Sequence, residues 1–395
     1  MPLKTFINGQ IYSLTSTAKP PVTFVNGVKK KLTKGVTFIN GQKVVLWDAH
    51  ELQISYIDPD ALGLALYYET PAFFANRNYI LYSASNTIFK LNVTNKATPY
   101  LDGSIQLGNV VTFSSVDSSV ATAVFYAANT ATSGQTTFNQ INVTNSTGAM
   151  VASNAQTINI SLGAEGAIYT SDGTWLTERA VQVGSQSSSP WYAQIYEGDA
   201  QKYSYVLFSG GSLSGKAHGP QFTKLGSNYA VGRINIFNST QGIAEYDASG
   251  YTVKVSGVYY TDTLVDTATG GHHIAVAGGD GFALYFRNSS GNYSAIATQA
   301  GLANHTERLV GKCRGYYYTV CLPSSSDTDK KYYLRVYTDA GVLYETRELT
   351  DLEGSRYNSD RITIVPQVSK TGYLTVYIPR YLSRDKSRFV LIECY

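Results

Sequence analysis

Metal binding and acid–base catalysis need histidine, cysteine or carboxylate side chains at suitable spacings, and this chain has few such patterns. Its five histidines are scattered. The pair His272-His273 would face opposite sides of a strand, so it would not hold one metal ion. No His-Glu-x-x-His, paired-cysteine motif or Gly-x-Ser-x-Gly sequence occurs. We therefore predict no metal ion, no cofactor and no catalytic residue.

The carboxylates support the same prediction. Two acidic loops, Asp327-Thr328-Asp329 and Gly278-Gly279-Asp280-Gly281, contain oxygen ligands for calcium but lack the twelve-residue pattern that ends in glutamate. We interpret both as turns. Glycoside hydrolysis needs two carboxylates that converge on one cleft, and nothing in the sequence brings two of them together. We predict that the chain is not an enzyme, and a polysaccharide-degrading propeller is the less favoured alternative.

The cysteines, Cys313, Cys321 and Cys394, are odd in number and lack metal-ligand spacing. A bridge between Cys313 and Cys321 is conceivable if the two flank one strand. Free thiols that act as small core side chains are the favoured interpretation, and they fit a protein made in a reducing cytoplasm.

Aromatic side chains are the more informative group, because the chain has 32 tyrosines. Runs such as Tyr316-Tyr317-Tyr318 would place aromatic rings on both faces of a strand. One face would fill the core, and the other would meet solvent or a partner. Exposed Tyr and Trp anchor protein interfaces and stack on sugar rings. The candidate contact residues are Trp175, Trp191 and Tyr192.

The composition favours strands over helices. Of 395 residues, 35 are Gly, only 2 are Met, and 15 % are charged, against roughly 25 % in an ordinary soluble domain. Tyr, Thr, Val and Ile favour pleated strands, and Gly favours tight turns. A net charge of +3 argues against nucleic-acid binding, and no run approaches the ~18 apolar residues of a membrane span. The first residues lack the pattern of a secretory signal peptide, so we expect none.

A repeat occupies residues 1–48. Thr5-Phe6-Ile7-Asn8-Gly9 recurs after 18 residues as Thr23-Phe24-Val25-Asn26-Gly27, and after 14 more as Thr37-Phe38-Ile39-Asn40-Gly41. Asn-Gly tolerates positive φ at both central positions of a two-residue hairpin turn. The repeat predicts three β-hairpins. Lys29, Lys30, Lys31 and Lys34 are interpreted as the soluble edge of one hairpin.

Residues 49–395 show strand-like runs, most of them 40 to 46 residues apart. This is the length of a four-stranded propeller blade, and the segment would hold about seven blades. The run Arg388–Ile392 is expected to close the ring by pairing near Leu52–Tyr56. A short helix is expected within residues 58–66. We therefore predict an all-β chain with a small N-terminal hairpin module and a β-propeller, and tandem β-sandwiches are the alternative.

The segments Thr23–Leu32 and Gly35–Trp47 resemble short repeats in structural proteins of tailed bacteriophages that infect Gram-positive bacteria. The resemblance covers about 45 of the 395 residues and implies a virion component of the tail, baseplate or fibre type. It implies assembly in the host cytoplasm, contacts with other tail proteins and a symmetric homo-oligomer. Recognition of host cell-wall polysaccharide is the alternative function. The virion-attachment residues that it implies are Phe6, Asn8, Gly9, Phe24, Asn26, Gly27, Phe38, Asn40, Gly41 and Trp47.

Overall fold

The structure of the chain is a computed structural model. It describes the backbone of residues 3–7, 10–14, 22–25, 28–31, 34–39, 42–48, 52–63, 73–84, 87–106, 111–118, 121–129, 136–158, 167–169, 175–182, 190–197, 200–209, 224–225, 228–235, 241–247, 250–257, 262–324, 331–352, 364, 366–378 and 387–395. It describes side chains in residues 52–59, 61–63, 74–82, 87–106, 121–122, 137, 139–152, 157, 200–202, 225, 243, 245, 252–257, 262–324, 331–352, 364, 366–378 and 387–395.

The chain divides into two units, residues 1–52 with Tyr395, and residues 53–394. The first unit contains three two-stranded antiparallel sheets. Their strands are β1 (Leu3–Ile7) with β2 (Gln10–Leu14), β3 (Val22–Val25) with β4 (Val28–Lys31), and β5 (Lys34–Ile39) with β6 (Gln42–Asp48).

The pairing register confirms the three predicted hairpins. Ile7 pairs with Gln10, Val25 with Val28, and Ile39 with Gln42. Each Asn-Gly dipeptide is therefore a two-residue connection, which is the loop length that this dipeptide favours.

The second unit contains seven sheets within the described residues, in chain order. Sheet 1 has β8 (Phe73–Ala75), β9 (Tyr79–Ala84), β10 (Thr87–Asn92) and β11 (Tyr100–Gln106); sheet 2 has β12 (Val111–Ser118), β13 (Thr122–Asn129), β14 (Thr136–Thr144) and β15 (Met150–Ile158); sheet 3 has β16 (Ala167–Tyr169), β17 (Trp175–Gln182), β18 (Pro190–Glu197) and β19 (Ala200–Ser209). Sheet 4 has β20 (Lys224–Leu225), β21 (Asn228–Asn235), β22 (Gln241–Asp247) and β23 (Gly250–Ser256); sheet 5 has β24 (Asp262–Ala268), β25 (Gly271–Gly278), β26 (Gly281–Asn288) and β27 (Tyr293–Ala300). Sheet 6 has β28 (His305–Cys313), β29 (Tyr316–Pro323), β30 (Tyr332–Thr338), β31 (Leu343–Leu349) and β32 (Gln367–Ser369); sheet 7 has β33 (Tyr373–Ile378), β34 (Arg388–Glu393) and β7 (Gln53–Ile57).

Sheets 1 to 5 are consecutive antiparallel meanders, because each strand pairs with the strand that follows it in the chain. The turn between β28 and β29 shows why the chain reverses there. Arg314 and Gly315 have φ values of 49° and 82°. Positive φ at both central residues matches the twist of the flanking strands.

The seven sheets form a β-propeller, as predicted, and the alternative of tandem sandwiches is wrong. The first strands of neighbouring sheets contact each other, as in β24 with β28, β28 with β33, and β33 with β8. The last contact joins the final sheet to the first one. The expected closure is confirmed, because β34 pairs antiparallel with β7, with Phe389 opposite Ile57 and Glu393 opposite Gln53.

Apolar side chains fill the spaces between neighbouring sheets. Between sheets 5 and 6, the ring of Phe282 stacks on that of Tyr337 with centroids 4.0 Å apart. Between sheets 7 and 1, Phe389 packs on Tyr82 at 5.0 Å. At these two interfaces the neighbouring sheets cover each other's faces, and aromatic residues of the strands fill the space between them.

The short helix expected within residues 58–66 is a 3-10 helix of three residues in the part of that segment that the structure describes. A single 3-10 turn, Asp60–Leu62, follows Pro59, and the backbone amide of Ala61 donates to the Asp58 carboxylate at 3.3 Å. Gly63 has a φ of 67°, a left-handed conformation that ends helical turns. Within the described residues, no helix is long and apolar enough to cross a bilayer.

Candidate contact surface

The outermost strands of the sheets carry the most exposed part of the described chain. In β11 and β27 most side chains are exposed or half-buried, whereas in β26 nearly all are buried. Among the side chains that the structure describes, five large apolar ones keep 43 to 63 % of their surface exposed. They lie on or beside the outer strands: Tyr100 and Leu101 on β11, Val151 on β15, Ile296 on β27, and Val342 just before β31.

Each outer strand of sheets 1 to 6 also contains a β-bulge. In β27, Ala297 pairs with Leu284 and Ala295 with Tyr285, so Ile296 is the extra residue. In β31 the extra residue is Tyr344. The remaining extra residues are Asp102 with Gly103 in β11, Ala155 in β15, Lys202 and Leu207 in β19, and Lys254 in β23.

A bulge disrupts the ladder that an added strand would need, and edge strands commonly use bulges to prevent edge-to-edge association. The outer edges of this propeller are therefore poor templates for strand addition. Contacts at this surface would have to come from side chains, and the exposed apolar residues lie where such contacts can form.

Turns between the third and fourth strands pack on the preceding sheet. At Gly341, before β31, an added Cβ would lie 2.8 Å from the Cβ of Ala297 and 3.1 Å from that of Leu284. At Gly148, before β15, it would lie 2.9 Å from the ring of Tyr79. Both glycines also have positive φ, 73° and 65°, so another residue would be strained there. The turn of sheet 6 thus places Gly341, which precedes Val342, against Ala297, which follows Ile296.

Buried ion pairs hold neighbouring sheets together beneath this surface. Glu245 on β22 accepts hydrogen bonds from Arg287 on β26, including Nη2 to Oε2 at 3.0 Å, and from the Tyr293 hydroxyl at 2.6 Å. The two charged residues are 2 % and 5 % exposed. Burial, and then the charge of Arg287, lower the pKa of His272 beside them. Arg287 and Tyr293 of sheet 5 thus both donate to Glu245 of sheet 4, and these contacts connect the two sheets.

A second set of pairs joins sheets 5 and 6. Arg308 donates to both carboxylate oxygens of Asp262 at 2.7 and 3.0 Å, and the amide of Leu309 donates to Asp262 at 3.0 Å. Four residues further along each strand, Lys312 Nζ donates to Asp266 at 2.8 Å. The acids lie on β24 and the bases on β28, so the first strands of the two sheets are matched in charge.

Glu307 is the most deeply buried carboxylate of sheet 6, at 1 % exposure. It accepts hydrogen bonds from the hydroxyls of Thr319 and Tyr337 and from Arg335, the last at 2.8 Å. Burial, and then Glu307, raise the pKa of Tyr337 far above its ordinary value. This carboxylate is fully engaged in packing and has no solvent access for acid–base chemistry. Among the described residues there is no cluster of three or more metal-ligating side chains.

The structure places the backbone of seven predicted site residues on strands, and their side chains lie outside the described part. Phe6, Phe24 and Phe38 lie on the first strand of each hairpin, and Trp47 lies on β6. Trp175 begins β17, and Trp191 and Tyr192 lie on β18.

Other predicted residues lie outside the described part of the chain. These are the three Asn-Gly dipeptides, Asn8-Gly9, Asn26-Gly27 and Asn40-Gly41, and the loop Asp327-Thr328-Asp329. Asp280 lies in the two-residue turn between β25 and β26, as interpreted. His272 and His273 are consecutive residues of β25, where the ring of His273 meets Phe286 and that of His272 lies near Arg287.

Neither the exposed outer strands nor the inter-sheet ion pairs were predicted from the sequence. The ion pairs left a signal in the sequence. Glu245 and Arg287 are 42 residues apart, and Asp262 and Arg308 are 46 apart. These separations equal the spacing between blades, so opposite charges one blade apart in a chain with few charges were candidates for pairing.

Comparison with known proteins identifies no family for the chain. No family model matches it, and no curated protein matches it. Solved structures that resemble it include an apocarotenoid oxygenase of Synechocystis (TM-score 0.44, 10 % identity, 73 % of each chain) and a hypothetical selenium-binding protein of Sulfolobus tokodaii (0.40, 9 %, 70 % of this chain and 75 % of the other). The WD40 domain of SCAP from fission yeast aligns over 82 % of each chain with a TM-score of 0.29 and 10 % identity.

One prediction needs correction at this point. The sequence predicts that the chain is not an enzyme, and that exclusion is wrong, because the solved structures that resemble it include apocarotenoid oxygenases, which are enzymes. The physical reason is that a fold alone does not exclude catalysis, since activity depends on the site that a fold carries.

Proposed function

We propose that the chain is a structural protein of the virion of a tailed bacteriophage, in the tail or baseplate. Residues 1–48 would attach it to the particle, and the propeller would offer a contact surface to neighbouring subunits. The observation that carries the proposal is the series of three Asn-Gly hairpins, which form a unit of their own and resemble repeats in such virion proteins.

The hairpins support attachment because each forms a sheet of only two strands. A two-stranded hairpin is marginally stable alone in water and gains stability when further strands or a packed surface complete it. Strands from another protein, or from further copies of this chain, would supply what each hairpin lacks. In a symmetric homo-oligomer within the particle, each repeat would have the same surroundings in every copy.

The propeller supports the second half of the proposal through its surface. Ile296 and Val342 are 43 % and 53 % exposed, and the bulged outer strands disfavour strand addition there. Neighbouring subunits would therefore contact the propeller through side chains. The low charge of the chain, 15 % of residues, fits a surface that is partly covered by neighbours.

The test is to locate the chain in purified phage particles. Antibodies against residues 50–395, used with electron microscopy, should label the tail or baseplate. Particles assembled with Gly27→Val, which blocks the Asn-Gly turn of the second hairpin, should lack most of the chain. Particles assembled with Glu348→Gln, an exposed substitution on β31, should contain the normal amount. Particles without label, or an equal content of both variants, would contradict the proposal.

A further inference from the structure

Two of the three cysteines meet where the propeller ring closes. Cys313 ends β28 in sheet 6, and Cys394 follows β34 in sheet 7. The Cys394 amide donates to the carbonyl of Gly372 at 2.9 Å, and Arg314, next to Cys313, donates to the carbonyl of Cys394 at 3.2 Å. These bonds fix the backbone around Cys394 against the end of β28.

The two thiols also contact each other. They are free, buried to 1 % and 0 % exposure, and joined by a side-chain hydrogen bond. This bond, together with the charge of Arg314, lowers the pKa of Cys313, although burial opposes the change. Burial and the bond to Cys313 raise the pKa of Cys394. Of the pair, Cys313 is thus the better nucleophile, and Cys394 is the resolving thiol.

The third cysteine has different surroundings. Cys321 lies on β29, and its charged neighbours are Glu307 and Arg335. Burial, and then Glu307, raise the pKa of its thiol well above the ordinary value. In the register, Cys321 lies opposite Glu307 and Cys313 lies opposite Tyr316, so the conceivable bridge between Cys313 and Cys321 does not form.

We propose that Cys313 and Cys394 are a redox-active pair that closes into a disulfide under oxidising conditions and ties the last strand of the ring to sheet 6. The bond would link residues 81 positions apart in the sequence. It would add a covalent closure to the noncovalent closure made by β34 and β7. Both thiols are free in the structure.

The oxidant in this reaction is a low-molecular-weight disulfide, such as glutathione disulfide. The Cys313 thiolate attacks one sulfur of the oxidant, a mixed disulfide forms, and the first small thiolate leaves. The Cys394 thiol then loses its proton and attacks the Cys313 sulfur, which releases the second small thiolate. The two protons of the cysteines end on the two released thiols. The protein loses two electrons, and the oxidant gains them.

Because both thiols are buried, the folded chain would react slowly, through local opening of β34. The test therefore uses the full chain refolded from denaturant in a buffer of reduced and oxidised glutathione, where equilibrium decides the result. We expect an intact mass lower by about 2 Da, one alkylatable thiol left, and a peptide that links Cys313 to Cys394. The midpoint of thermal unfolding should rise by about 5–10 °C relative to the reduced chain.

Two variants complete the experiment. Cys321→Ala should still form the bridge and show the same rise. Cys394→Ser should form no bridge, and its unfolding midpoint should be equal in reducing and oxidising buffer. Three alkylatable thiols after refolding of the unmodified chain would overturn the proposal. A stable adduct of glutathione on Cys313, or a bridge that includes Cys321, would overturn it as well.

Discussion

Glu245 and Arg287 form a buried ion pair between sheets 4 and 5. A buried ion pair contributes little net stability, but removing one partner leaves the other charge without compensation in a nonpolar environment. Arg287 and the Tyr293 hydroxyl both donate to Glu245, so the carboxylate is the centre of this contact.

Glu245→Gln should therefore lower the free energy of unfolding by about 3–5 kcal/mol, because Arg287 stays charged and buried. Urea-induced unfolding, followed by circular dichroism, measures the change. Replacing both residues by Met should cost less than Glu245→Gln alone, since no charge then remains buried.

The matched control is Glu348→Gln, which breaks the 3.0 Å pair of Lys331 with Glu348. Here the two side chains are 45 % and 40 % exposed, so solvent screens the interaction. The free energy of unfolding should change by less than about 1 kcal/mol. Equal losses in the two variants would show that burial does not determine the effect of these pairs.

The strand β7 completes the last sheet, although it lies more than 330 residues before its partner β34 in the sequence. Ile57 of β7 is buried with Phe389 and Leu391 of β34 and with Tyr82 of sheet 1. Arg388 at the start of β34 pairs with Asp58 at 3.0 Å and with Asp351 at 2.9 Å. The ring is thus closed by strand pairing, apolar contact and charge together.

A chain that begins at residue 58 should therefore be much less stable than one that begins at residue 50. The first lacks β7 and exposes one edge of β34 and the side chains of the shared core. The second lacks only the hairpins. Thermal unfolding should show a midpoint lower by at least about 10 °C for the shorter chain, or no cooperative transition. Equal midpoints would mean that β7 contributes nothing to ring closure.

Some elements were predictable from sequence because a local constraint determines them. Asn-Gly dipeptides restrict the backbone to turns, so the hairpin registers followed directly. Ring closure by the terminal strand followed from the need to pair both edges of the last sheet. The helix within residues 58–66 is only three residues long because Gly63 ends the turn that Asp58 begins. The bulges at Ile296 and Tyr344 were not predictable, since the packing between sheets, rather than residue type, decides where the extra residue lies.

The two units of the chain differ in the bulges and the pairing of their edge strands. The propeller pairs β34 with β7 and bulges its outer strands in sheets 1 to 6. The hairpins of residues 1–48 form two-stranded sheets, in which each strand has one edge that its own sheet does not pair. The pairs β1–β2 and β3–β4 have no bulge, whereas β6 has one extra residue, Leu46, opposite β5. Edges without a bulge favour association with further strands, whereas bulged edges oppose it. Self-association should therefore depend on the hairpins.

Sedimentation velocity of two chains checks this expectation at equal concentration. Residues 50–395 should remain monomeric at tens of micromolar. The full chain should form a discrete oligomer, because completing the hairpin sheets with strands of other copies satisfies backbone groups that water otherwise solvates. Adding Gly9→Val, Gly27→Val and Gly41→Val together should return the full chain to a monomer, since the three Asn-Gly turns lose the residue that tolerates positive φ. An oligomer of residues 50–395 would instead assign association to the exposed apolar side chains of the outer strands, and Val342→Lys would then dissociate it.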